Sequence, residues 1–448
     1  MNPMTLLLRH AGLAALLLAL EPSLALAGDA AAAMTEGDRI ATQARARMAK
    51  AEAMRPSKER NAELSYTVKL IKEGLASYLL AAEVSPEDAS AVAARITDLR
   101  GMQFFCNKSF AIILPEAETR KPDPEPIPDR EPAPDALPVL PPKPSIPPPA
   151  ALTEAEAQRV QALLDEARKL SIRIESGQDT WLRYTARVKA APVRLDRLQK
   201  GFKPAKKPAI VRRDLTAWDG VRDEILRETR DYQEKAFQKA QQIEEWRGRM
   251  AWCFALVEHA GTRAFPVMEA FSSRPNFPLN EDLITYLNGQ FSVPAFRMTP
   301  VEGPPPADAQ ATERFLDQMA ETAENVQAHQ AACALQKAKA SWLNQDLEDL
   351  NTYWSWRDTQ NPDPDLKASV VTRLKQDIEK AGKALKALEP KGETLKGKTA
   401  SLRTAIQALP RTQVQAVDAW RLRQPYLPET LGAELEAWTR KALGLGPD

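Results

Sequence analysis

The sequence predicts an all-α protein: a small helical-hairpin module, a proline-rich linker and an elongated antiparallel helical bundle with coiled-coil character. Three observations carry that prediction. Glycine is scarce, at 18 of 448 residues, and Ala, Leu, Glu, Lys, Arg and Gln dominate while β-branched alternation is almost absent. Apolar residues recur in steps of three and four over long stretches, the period of one helical face. Residues 115–150 hold 14 of the 36 prolines, and proline fixes φ and removes the amide donor, so neither helix nor sheet passes through them.

Taken in order, the first 27 residues read as a signal peptide. Arg9 is a short positive region, Ala11 to Leu20 is an apolar run, and Ala25-Leu26-Ala27 has the small-x-small form of a cleavage site. The apolar run is shorter than the ~20 residues a bilayer requires. The expected location is outside the cytosol, periplasmic or secreted, and the alanine-rich style looks bacterial.

A module over residues 28–114 follows. Helical patterns cover Met34 to Met54 and Ser57 to Val84, the second with Leu64, Val68, Ile71, Leu75, Tyr78, Leu79 and Ala82 on one face. Ser85 before Pro86 reads as an N-cap for a third helix over Ala89 to Phe105. Gly74, Tyr78, Ala81 and Pro86 fall at the spacing of small, aromatic, small and helix-breaking residues. In that respect residues 58–95 resemble a tetratricopeptide-type repeat, while Lys58, Asn61, Ala62 and Tyr66 depart from its first-helix pattern. The resemblance implies peptide or protein binding, not a reaction. The linker, 115–150, is expected to be a polyproline II spacer reaching up to roughly 110 Å, holding the two parts apart.

The bundle, 151–448, opens on a Thr153–Glu156 capping box. A helix should run to Ala190, prolines 192, 204 and 208 should break an elbow, and a second helix should cover Asp214 to His259. Its stripe from Trp218 through Val221 and Ile225 to Val257 repeats about every 3.55 residues, near the coiled-coil value. Residues 262–306 read as an irregular insert with a short helix near Glu281 to Leu287. Further helices are expected over Asp308 to Arg357, Leu366 to Leu388, Leu395 to Leu409 and Pro428 to Leu443, with Pro390 a stop.

The chemistry-bearing patterns are few. Gly392 to Thr399, GETLKGKT, satisfies the phosphate-loop spacing, yet a charged amphipathic helix precedes it where a buried strand is required. His259 and His329 stand alone in helical patterns, although His329 lies four residues before Cys333. No catalytic residue, cofactor or metal ligand is assigned. Cys106, Cys253 and Cys333 are too few for a disulfide scaffold, but Cys253 and Cys333 both sit on inward stripes and could pair. The Tyr353–Trp356 run reads as core-closing aromatics, with sugar stacking the alternative.

The elbow concentrates charge. Arg187, Lys189, Arg194, Arg197, Lys200, Lys203, Lys206, Lys207, Arg212 and Arg213 stand against Asp196 alone. Displayed at a hairpin tip they would attract an anionic envelope surface or polymer. The formal charge of the whole chain is +1, which gives no polyelectrolyte signal and no sign of specific nucleic-acid binding. The function expected is a non-enzymatic exported scaffold or adaptor with protein partners, its coiled-coil stripe offering self-association. The alternatives are an anionic-surface binder through residues 187–213 and an enzyme with an unrecognised cleft.

Overall fold

A computed structural model describes residues 30–111, 151–203, 208–272, 281–287, 298–304 and 306–445. The signal peptide, the proline-rich linker and much of the 262–306 insert lie outside the described residues. Within them the fold is all-helical, with no strand.

The amino-terminal module is α1 (Ala30–Glu52), α2 (Lys58–Val84) and α3 (Ala89–Ser109). Ser57 caps α2 by accepting from the Arg60 amide. Ser85 does not cap α3. A 3-10 turn, Pro86–Asp88, intervenes, and the Ser85 hydroxyl accepts from Arg197 instead. Tyr78 crosses to α1, where its hydroxyl donates to Asp38 at 2.6 Å. Gly37 makes room for that ring: a Cβ there would lie 2.5 Å from Tyr78 Cε1.

Two long antiparallel hairpins make the rest. The first is α4 (Glu154–Gly201) and α5 (Pro208–His259), opened by the Thr153–Glu156 capping box in full. Short helices α6 (Phe265–Ser272) and α7 (Glu281–Leu287) follow. The second hairpin is α8 (Ala309–Gln360) and α9 (Pro364–Gln407), turning at Asn361 where backbone before proline leaves the α region. Asp363 caps α9 through the Leu366 amide. Last come α10 (Val414–Arg423) and α11 (Glu429–Ala442), which close the base.

Three expectations are corrected. Pro192 and Pro390 do not end helices; both lie inside α4 and α9 with exposed rings. α4 therefore runs on to Gly201, and α5 begins at Pro208 rather than Asp214. Nor is the amino-terminal module held away. It shares one core with the first hairpin, in which Leu64, Ile71 and Leu75 join Leu164, Ile174 and Cys253. The reason is that α2 is apolar on more than one face. Its Leu80 packs with Val84 against Ala190 and Val193 of α4, while Tyr78 turns toward Gly37 and Asp38 of α1. Polar ties reinforce the seam: Arg187 with Glu83, Arg100 with Asp179, Lys72 with Glu281, and Gln103 and Asn107 both donating to Glu175.

The predicted stripe of α5 also shifts near its start. Val221 is 46% exposed, while Asp219 and Arg222 are buried. These two face α8, where Tyr353 donates to Asp219 at 2.6 Å and Arg222 lies over the Tyr353 ring at 4.4 Å. Polar pairs continue along the α5–α8 seam, through Arg230–Asp346 and Lys339–Glu234.

Candidate functional site

Chemistry-bearing side chains from several segments converge at the base of the hairpins. The end of α5 brings His259. Asp418 and Arg421 are three apart on one face of α10, and Glu436 and Thr439 are three apart on α11, the spacing that makes helical neighbours. The segment 298–304 adds Thr299 and Val301. Arg421 Nη2 donates to Glu436 Oε2 at 2.8 Å and Nη1 reaches Thr439 Oγ1 at 3.4 Å. The Thr299 amide donates to Glu436 Oε2 at 3.1 Å, and its hydroxyl donates to Oε1. His259 Nε2 stands 3.9 Å from Asp418 Oδ2.

Burial decides the electrostatics. It pushes the Asp418 carboxyl up to about 6, against the opposing pull of Arg421, while Glu436 adds to the rise. Burial also lowers the His259 imidazole, and Arg421, Arg159 and Arg263 lower it further. Each of the two thus leans toward its neutral form. Asp418 Oδ1, His259 Nδ1 and Arg421 Nε are buried without a hydrogen-bond partner, an arrangement that costs about 1–3 kcal/mol per group unless water enters. The cluster is a polar brace that ties α5 to α10, α11 and the 298–304 segment. It holds one committed ion pair, Arg421 with Glu436, beside a histidine and a carboxyl that burial pushes toward their neutral forms. Sequence reading placed His259 alone and missed Asp418, Arg421 and Glu436. Their only signal is charge interleaved with apolar residues in short helices, a pattern that solvent-facing residues share.

The described elbow residues lie toward the end of α4 and the start of α5. Arg187, Lys189, Arg194, Arg197 and Lys200 ride on α4, Arg212 and Arg213 on α5, and Lys203 between them; Lys206 and Lys207 lie outside the described residues. Several are occupied internally: Arg187 by Glu83, Arg194 by Glu228, Lys200 by Asp196 and Arg213 by Asp214. Arg197 donates to the Val84 carbonyl. Lys189 is half-buried, and desolvation lowers its ammonium.

All three cysteines are free thiols, so Cys253 and Cys333 are not joined. Cys253 lies in the core shared with the amino-terminal module, whereas Cys333 is half-buried on α8. GETLKGKT is helical throughout, inside α9, so its amides bond within the helix rather than cradle phosphate. Tyr353 and Trp354 close a small core with Leu350 and Leu374, and Trp356 meets Phe202 edge-on at 5.8 Å. Among the described residues no three His, Cys, Asp or Glu side chains are grouped to hold a metal ion.

No family model matches the chain, and neither a curated protein nor a solved structure does.

Proposed function

We propose that the chain is a non-enzymatic, exported helical scaffold or adaptor whose partner-binding surface is the middle of the second hairpin. One observation carries this reading. Between Met319 and Asp346 no residue of α8 is buried, although the helix is anchored at both ends. Leu316 and Met319 sit in the base core, and Leu350 and Trp354 sit in the tip core. This stretch spans about 39 Å at 1.5 Å per residue. A stiff rod held at both ends, one side of which rests on α5 and α9, presents its solvent-facing side without ordering cost, which favours binding.

The export signal in residues 1–27 supports the location. No helix among the described residues is long and apolar enough to cross a membrane. The tetratricopeptide-like positions fit the same reading, since Gly74 and Ala81 are buried at helix contacts and Pro86 opens the turn before α3.

A photo-crosslinking amino acid placed singly at Gln327, Lys337 or Asn344, all exposed on α8, tests the surface in cells. Discrete adducts from these sites, and none from exposed Arg173 on α4, are the expected result. An even, featureless pattern from all four positions rejects it.

A further inference from the structure

The outer face of α3 is apolar and exposed. Its inner side buries Val92, Leu99, Met102 and Cys106, and beside them Gln103 and Asn107 reach Glu175 of α4. On the opposite side Ser90, Ala94, Thr97, Gly101, Phe104 and Lys108 all face solvent. Their steps of four and three alternate as in a coiled-coil seam. Phe104 is 53% and Phe105 39% exposed, and Ile172 of α4, one turn before Glu175, is 50% exposed. Exposed aromatic and aliphatic side chains gathered on one face mark an interaction surface. We propose that this face pairs with the same face of a second copy of the chain, the two α3 helices running antiparallel about a two-fold axis between Thr97 and Gly101.

The poverty of charge is the first argument. The solvent side of α9 is laced with pairs such as Lys383–Glu379 and Lys396–Glu393. From Ser90 to Phe105 the exposed residues of α3 include a single charge, Asp98, and Arg45 of α1 holds it. Covering such a face removes apolar surface from water and strands no charge.

Self-complementarity selects a second copy as the occupant, because a two-fold interface sets one patch against itself. In the antiparallel pair Phe104 stands opposite Ala94, Gly101 opposite Thr97, and Lys108 opposite Ser90, each in both directions. The bulky end of one helix fills the alanine end of the other. Small residues at the centre let the axes approach to the roughly 8–10 Å of packed helices. Charge obeys the same symmetry. Lys108 lies over its own Phe104 ring at 4.5 Å, and the pairing brings it within reach of Glu87 and Asp88 of the partner. Those two acids are exposed in the turn that precedes α3.

Sedimentation velocity of the full chain at rising concentration tests the pairing, and a monomer–dimer equilibrium is the expected result. Phe104→Glu should weaken dimerisation roughly tenfold or more, the loss of one interface anchor, with unchanged helical circular dichroism. Lys108→Glu should weaken it too, and adding Glu87→Lys and Asp88→Lys to that variant should restore it. Val221→Glu, at an exposed apolar position on α5, should leave it unchanged. A chain that stays monomeric at every concentration would overturn the pairing, as would a dimer indifferent to Phe104→Glu. A photo-crosslinking residue at Thr97 should join two copies; its capture of residues 112–150 of its own chain, or of a different protein in cells, would reject the second copy as occupant.

Discussion

Arg421 Nη2 and Glu436 Oε2 stand 2.8 Å apart with side chains only 1% and 9% exposed, the most enclosed ion pair at the base. Removing one member leaves a charge stranded away from water, which costs about 3–5 kcal/mol, whereas removing both together is far milder. Glu436→Leu should therefore lower the urea midpoint sharply, the more so because the Thr299 amide loses its acceptor. Arg421→Met combined with Glu436→Leu should recover most of the loss. A double variant as unstable as the single would mean that packing of α11, rather than the uncompensated charge, sets the cost.

Asp418 gives a pH dependence of definite sign. Its folded-state carboxyl titrates at about 6 against 3.8 for the free group, so the folded chain binds this proton more tightly. The associated stabilisation is complete below 3.8 and is lost as pH rises through 6. His259 is lowered, so its contribution is present above the ordinary imidazole range and lost as pH falls through its folded value. The two oppose each other during acidification. Asp418→Asn should gain on the order of 3 kcal/mol at pH 7.5 and leave only the histidine slope, so that its stability falls steadily on acidification. Urea midpoints at pH 7.5, 6 and 5 decide this; parallel curves for the parent and Asp418→Asn would rule the assignment out.

The helices and their apolar stripes were readable because a 3.6-residue period leaves a direct trace in residue order. The Thr153–Glu156 capping box was readable for the same local reason. What went unread was relational. Pro192 and Pro390 look like breakers in one dimension, but both rings face solvent, where a helix can bend outward to relieve the clash. Leu80 and Val84 lie beside the stripe that packs within the module, so the second face that docks on α4 was hidden behind the first. Asp219, Arg222, Asp418 and Arg421 are charged residues on buried faces. No spacing rule separates them from charges in water until their partners on α8 and α11 are in place.

The amino-terminal module is docked on the first hairpin through a shared core and ion pairs, so the two should stay together without a covalent connection. A protease site introduced within 115–150 and cut after folding should leave the two pieces co-eluting in size exclusion. Arg197→Ala, which removes the bonds to Val84 and Ser85, should speed amide exchange at the end of α2. Pieces that separate on cutting would restore the tethered picture.

Two glycines should respond oppositely to the same change. Helix interiors favour alanine over glycine by about 1 kcal/mol. At Gly101 of α3 nothing lies within 4 Å of where a methyl would sit, so Gly101→Ala should raise thermal stability by about that amount. At Gly37 the methyl would meet Tyr78 Cε1 at 2.5 Å, and the ring is pinned by its bond to Asp38. Gly37→Ala should destabilise despite its propensity gain, and a stabilised Gly37→Ala would show that α1 is free to move away from Tyr78.

Pro390 tests whether α9 is one helix. Its ring faces solvent and its nitrogen cannot donate to the Lys386 carbonyl, so it costs the helix up to about 3 kcal/mol relative to alanine. Pro390→Ala should restore that hydrogen bond without disturbing any core contact, raising both helicity and melting temperature. Gly397, seven residues on and with nothing within 4 Å of its methyl position, should add a smaller gain as Gly397→Ala. The two increments should sum, because the sites lie about 10 Å apart along the axis and distant sites act independently. If instead GETLKGKT were a loop leaving a helix that ends at Pro390, neither substitution would raise helicity, and Gly397→Ala would lower stability by straining a turn.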